Sequence, residues 1–366
     1  MNNQGKLTHG QTACLTYASA VGNIVYSFTF VTSIAGRASW VAVLIGVLLN
    51  IPFAMWILSL AKSLPGKTIF DLLETGLGKF VCKLIILFYL LVNVAIAVCM
   101  MNMSTGMIRV FFLPETPTLI IMLFFVFLCT IFVRSGIFTL GRLIQVLVVL
   151  YTLNFFLGYS VSFIKTFKLE YVLPIFDTSV LSFAKGVIIT AGTVAESLMF
   201  LMLMVGSISH TAKQHRSVKR GIFIWSLVLS FAIIIMEGDM GHEMLYRVAQ
   251  AGVTVARIIE INSFVRGLEI LILMTYQYLA IAKITIYIYC NDESLIKLFN
   301  IKKGWLPLTA AALLIFAPSV WINSLNAGYY FSVFLGSYVI LPFVLLVLIL
   351  ASVSALRIRK RNEAAK

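Results

Sequence analysis

The sequence predicts an all-α membrane protein of ten transmembrane helices. They form a 5+5 inverted-repeat, transporter-like fold in which helices 1 and 6 are broken. Three observations carry this expectation. Of the 366 residues, 61% are hydrophobic and 11% charged, whereas a soluble domain carries about a quarter charged residues. The apolar residues fall in blocks close to the ~20 needed to cross a bilayer as helix. Polar, glycine-containing stretches interrupt the first block of each half, SAVGN at 19–23 and TAGTVAES at 190–197. Such interruptions at matching positions of two halves point to a transporter-type binding site.

Hydropathy places the spans near 11–34, 40–60, 81–108, 118–133, 143–164, 187–207, 221–236, 264–289, 305–322 and 330–354. The fourth and seventh are short, which asks for little tilt or a locally thin bilayer. Nothing resembling a linker divides the chain, so 1–366 reads as a single polytopic membrane domain with repeats at 11–164 and 178–355. Nineteen Lys and Arg lie in one set of alternate loops and tails and seven in the other. The richer set includes both termini, which are therefore expected on the cytoplasmic side. An even number of spans agrees. MNNQGKLTHG runs into the first span without a cleavage-like site, so no cleavable signal peptide is expected.

Two loops read as structured. LPGKTIFDLLETGLGKF (64–80) opens on Pro and Gly and then spaces its apolar residues helically, predicting a short cytoplasmic amphipathic helix. On the opposite side, EGDMGHEMLYRVAQAGVTVARIIEIN (237–262) is the longest polar stretch, and its second half has the spacing of a surface helix.

Composition also excludes. A net charge of +14 resides between hydrophobic blocks, where basic residues set topology, so no nucleic-acid partner is expected; the bilayer is. The five cysteines and four histidines lack metal-ligand spacing, so no metal or cofactor is expected. Nucleophile-elbow, zinc-protease and phosphate-loop patterns are absent, and the chain does not read as an enzyme.

Glu196 is the residue that needs explaining, because a charge near mid-bilayer costs a few kcal/mol. It follows Gly192 and Thr193, and the first span offers Ser19, Gly22 and Asn23 in the matching place. An unwound stretch there frees backbone groups for a ligand. Half-helix N-termini suit a carboxylate and half-helix C-termini an ammonium, a pairing that fits an amino acid. The competing reading is close helix packing through glycine and a buried, hydrogen-bonded neutral carboxyl. In the eighth span Glu269, Tyr276 and Lys283 recur every seven residues and share a stripe. Arg266 and Glu269 are spaced as a possible switch or structural pair. Lys283, placed near the inner end, reads equally as a snorkelling side chain. Asn93, Asn102 and Asn154 line the same cavity or bridge helices.

KLTHGQTACLTYASAVGN, AGRASW (35–40) and SLPGKTIFDLLETGLGKFVCKL (63–84) together resemble the spore germination permease family, the B subunits of nutrient germinant receptors. That family is similar to amino acid–polyamine–cation transporters. The resemblance spans nearly the whole chain and implies the inverted-repeat fold and a place in the spore inner membrane. It also implies a small-nutrient ligand, often an amino acid, and two partners, a membrane A subunit and a lipoprotein C subunit. It carries ligand roles onto Gly22, Gly192 and Glu196. One departure stands out: many members have a proline several residues after the first-span glycine, and GNIVYSFTFVTS has none. The alternative expectation is an active, proton-coupled amino-acid transporter of the same fold.

Overall fold

A computed structural model describes residues 6–21, 24–248, 251–252, 254, 268–322, 331 and 333–364, and every regular element among them is a helix. Span 1 comprises α1 (His9–Ala20) and α2 (Ile24–Ala35), and span 2 comprises α3 (Ser39–Leu48) and α4 (Asn50–Ala61). The loop helix α5 (Ile69–Leu77) precedes α6 (Lys79–Phe111), α7 (Thr118–Arg134) and α8 (Ile137–Lys165). Span 6 is α9 (Val180–Val194) followed by α10 (Glu196–Met204), and span 7 is α11 (Ala212–Met240) with the short α12 (His242–Leu245) after it. Then come α13 (Leu268–Phe299), α14 (Trp305–Ile322), and a π-helical turn, Leu335–Ile340, that runs into α15 (Leu341–Ala364). Each of the ten expected spans thus overlaps described helix. By length and composition seven described stretches qualify as membrane-crossing, with Thr29–Ala61 counted as one although the turn at Gly36–Ala38 divides it; Thr118–Arg134 is apolar but shorter.

Local chemistry sets the ends. Thr8 and Gln11 form a reciprocal capping box at the start of α1, which satisfies two orphan amides. At the turn between spans 1 and 2, Gly36 adopts φ +57°, a region that favours glycine. There Arg37 pairs with Asp177 and donates to the Leu173 carbonyl, while Thr178 Oγ1 donates to Ala35 O at 3.1 Å. The segment between spans 5 and 6 is thereby laced onto the first helical hairpin.

The helices divide into two groups. Spans 1, 2, 6 and 7 pack on one another, and α6, α7, α8, α13 and α14 pack into a second layer built around α13. The first group takes the first two helices of each half, the arrangement inverted repeats produce. Small residues permit its close approaches: Gly221 faces the Ala13 carbonyl and Gly46 faces Thr190. Span 10 leans on α9 through its π turn and on α5 through α15.

Two expectations change, and a third is largely untested. The loop helix α5 forms as expected, but its apolar face is not left at the membrane surface. Ile69, Phe70, Leu72 and Leu73 are buried, with Phe70 edge-on to Tyr89 and Lys297 of α13 paired with Asp71. Span 7 continues to Met240, so Glu237 lies inside a helix, fully buried and hydrogen-bonded to Ser39. The surface helix expected in 237–262 falls largely outside the described residues.

Candidate functional site

The two interruptions differ in depth. In span 1 the helix ends at Ala20, Val21 turns to ψ +64°, and α2 resumes at Ile24. Gly22 and Asn23 lie in that gap, outside the described residues. In span 6 the interruption is a single residue. Ala195 keeps φ −60° and ψ −16°, its N–H is shared between the Ala191 and Gly192 carbonyls, and Leu198 N donates back to Ala195 O. The sixth span is broken by one tightened turn rather than an unwound stretch, because no residue there leaves the right-handed region.

Glu196, the first residue of α10, is buried and so is its counter-charge. Lys283 Nζ lies 2.5 Å from Glu196 Oε1, and both side chains are 1% exposed. The same ammonium donates to Ser19 O at 2.8 Å and Val21 O at 3.2 Å. Tyr287, one turn further along α13, donates to Glu196 Oε2 at 2.5 Å. The buried charge is therefore offset by an opposite charge and by charge-assisted hydrogen bonds, the condition under which buried ions persist. The pair joins the two helix groups, since α13 belongs to one and spans 1 and 6 to the other.

The expectation for Lys283 is corrected. It is not a snorkelling residue at the end of a span, because α13 runs from Leu268 to Phe299 and Lys283 stands at its middle. Sequence reasoning missed the pairing. The usable signal was that Glu196 and Lys283 are opposite charges deep in two different spans, and such charges seek one another. Tyr287 carries only a faint signal, its place four residues after Lys283.

Ser19 joins the site through its carbonyl; its hydroxyl donates to Thr16 O at 3.0 Å. Thr193 turns its hydroxyl to Ile189 O and Thr190 O of its own helix. Gly192 meets span 10: a Cβ built on it would lie 2.6 Å from the Gly336 carbonyl oxygen. Tyr276 is two turns from Lys283 and lines a cavity of about 30 Å³ with Tyr151, Phe155, Tyr159 and Trp225, room for about two waters. Glu269 lies in the first turn of α13, whereas Arg266 lies outside the described residues. Asn50, unremarked in the sequence, donates from span 2 to Gly46 O of its own span and to Ala191 O, both at 3.2 Å, and so supports one carbonyl just before the turn in span 6.

A larger groove lies beside these residues. It holds about 410 Å³ between spans 1, 6 and 10, and its lining includes Phe30, Ile34, Lys185, Ile189, Phe334 and Ser337. That volume lies in the range of small-molecule pockets. Among the described residues its walls are mostly apolar, with Lys185 the one cation, and Ser337 adjoins the Gly192–Gly336 contact.

Comparison with known proteins agrees with this architecture. A family model described as "Spore germination protein" matches residues 6–327. Spore germination protein B2 of Bacillus subtilis (strain 168) is 21% identical over 340 residues, covering 90% of each chain. Among solved structures, MhsT in complex with L-phenylalanine superposes with a TM-score of 0.69 at 13% identity, covering 98% of this chain and 97% of that one. Mhp1, a nucleobase-cation-symport-1 family transporter in a closed conformation with bromovinylhydantoin bound, gives 0.63 at 11% identity, over 88% and 75%. At such identities the structural likeness speaks for the fold alone. With a family match over most of its length and a transporter's inverted-repeat helices, the chain belongs to the spore germination protein family.

Proposed function

We propose that this chain is the B subunit of a spore nutrient germinant receptor, a permease-like sensor that binds a small nutrient, with an amino acid as the favoured class. The observation that carries the reading is the buried Glu196–Lys283 pair at the meeting of the two interrupted spans, where it bridges the two helix groups. The nutrient seats between spans 1 and 6, in the groove whose span-6 wall, Lys185 to Ile189, lies on the helix leading to the turn at Ala195. Support for the amino-acid class comes from the L-phenylalanine named with MhsT and from Lys185 on the groove wall, a partner for a carboxylate. Because Glu196 already has Lys283 as counter-charge, it acts in the switch and not as the nutrient's amine partner.

Occupancy shifts the relative packing of the two groups only through different affinities for two states, and a tenfold preference corresponds to about 1.4 kcal/mol. The shift is passed to a membrane A subunit and a lipoprotein C subunit in the spore inner membrane, with both termini of this chain cytoplasmic. The chain works as one membrane unit and catalyses no reaction.

The test is nutrient-triggered germination of spores carrying Glu196→Gln, with subunit levels followed by blotting. A shifted nutrient dose response at normal protein levels is expected; an unchanged response would remove Glu196 from the switching path. Uptake of labelled amino acid by liposomes containing this chain alone separates the sensor from a proton-coupled transporter, and binding without uptake is the expected result.

A further inference from the structure

We propose that Lys283 is a tethered cation: its ammonium fills the position where the interrupted spans would otherwise need a free monovalent cation, so the fold holds spans 1, 6 and 8 together without sodium or potassium.

The cradle around Lys283 Nζ is made of oxygen acceptors. Two are the Ser19 and Val21 carbonyls at the end of α1, and the third is a carboxylate oxygen of Glu196. Carbonyls in the last turn of a helix lack helical partners and carry the negative end of its dipole. Adding a carboxylate gives a buried, electronegative oxygen cluster of the type that attracts a hard cation. Here an ammonium supplies the charge. It has three donors and no acceptor, and the three oxygens take one each. Charge and hydrogen bonding therefore both close, with a side chain 1% exposed.

Tethering changes what the site does. A dissociable ion would make the joining of span 8 to spans 1 and 6 depend on the ion's concentration, by mass action. A cation carried on α13 cannot leave, so the join opens only when the helices themselves move apart. Free energy for the state change then comes from the ligand, its partners or a proton and not from a sodium or potassium gradient. This holds whether the chain senses its nutrient or carries it.

The test uses the full chain in lipid nanodiscs with no nutrient present, so it stands apart from the functional reading. Thermal unfolding is followed in sodium, potassium and choline chloride at equal ionic strength. The wild type is expected to unfold at the same temperature in all three; a midpoint raised by sodium or potassium over choline would overturn the proposal. Lys283→Ala removes three methylenes and the ammonium, a loss that n-propylammonium matches. Its midpoint is expected to fall in choline and to recover by at least half with n-propylammonium or sodium. A Lys283→Ala midpoint unmoved by either cation would also overturn the proposal. If Lys283→Ala does not fold, Glu196→Gln/Lys283→Met, which removes both charges at nearly constant volume, is expected to fold and to ignore all added cations. A cation response in that double variant would count against the site.

Discussion

Gly192→Ala separates the two readings open to the glycine of span 6, because the structure fixes what an added methyl group meets. A Cβ at Gly192 would lie 2.6 Å from Gly336 O, 2.9 Å from Gly336 C and 2.9 Å from Ser337 Cα. All three atoms are backbone, so no side-chain rotation relieves the contact. Ordinary contact begins near 3.4 Å, so span 10 must retreat by about 0.8 Å, and overpacking of this kind costs about 1–3 kcal/mol. Alanine returns up to about 1 kcal/mol of helix propensity. A stiff backbone contact favours the upper end of the cost, for a net loss of about 2 kcal/mol. The reciprocal change, Gly336→Ala, meets Thr193 Cα at 2.7 Å and should cost a similar amount. Once span 10 has moved for one methyl, the same gap admits part of the second, so the double variant is expected to lose less than the two singles together. Equilibrium unfolding in mixed detergent–SDS micelles, read by tryptophan fluorescence, gives all four values. A Gly192→Ala variant within 0.5 kcal/mol of wild type that loses its nutrient response would refute the packing argument and make Gly192 a ligand contact.

Two further outcomes are expected. Tyr287→Phe removes the donor to Glu196 Oε2; a hydrogen bond to a charged group contributes about 1.5–3 kcal/mol, so the same unfolding assay should show a loss in that range, and no loss would mean that the phenol does not hold the carboxylate. In α5, Asp71 accepts from Thr68 N at 2.7 Å and Thr68 Oγ1 at 2.8 Å, and it pairs with Lys297 of α13. Partial burial pulls the Asp71 pKa up, but Lys297 and Thr68 outweigh it, and the carboxyl is held below its ordinary 3.8. A depressed folded-state pKa means stability that is present above 3.8 and lost as pH falls through the lower folded value. Wild type should therefore lose stability more steeply than Lys297→Met on acidification below pH 3.8, and parallel acid titrations would contradict the pairing.

Much of the architecture was legible in the chain because the bilayer imposes its own rules. Spans must be apolar and about 20 residues long, so the order and approximate limits of the helices could be read from composition alone. Pro65 and Gly66, followed by helically spaced apolar residues, marked α5 in the same way, since both signals are local. Ser19 and Glu196 were identifiable because polar groups in an apolar span demand a reason. The partners that supply the reason were not, since Lys283 and Tyr287 reach Glu196 across 87 and 91 residues. Gly192 shows the same limit: its sequence context suits a ligand or a packing contact, and the close approach of Gly336 is visible only in the fold.

By itself, then, the sequence determined that this chain crosses the membrane repeatedly as helix, that its first and sixth spans are interrupted, and that Glu196 sits at one interruption. Those properties follow from local hydropathy, helix-end chemistry and residue spacing. Tertiary structure decided that the interruption in span 6 is one tight turn, that α5 faces inward, and that Lys283 closes the oxygen cradle at Glu196. A buried charge persists only beside its opposite, and which opposite charge is near depends on how distant helices pack.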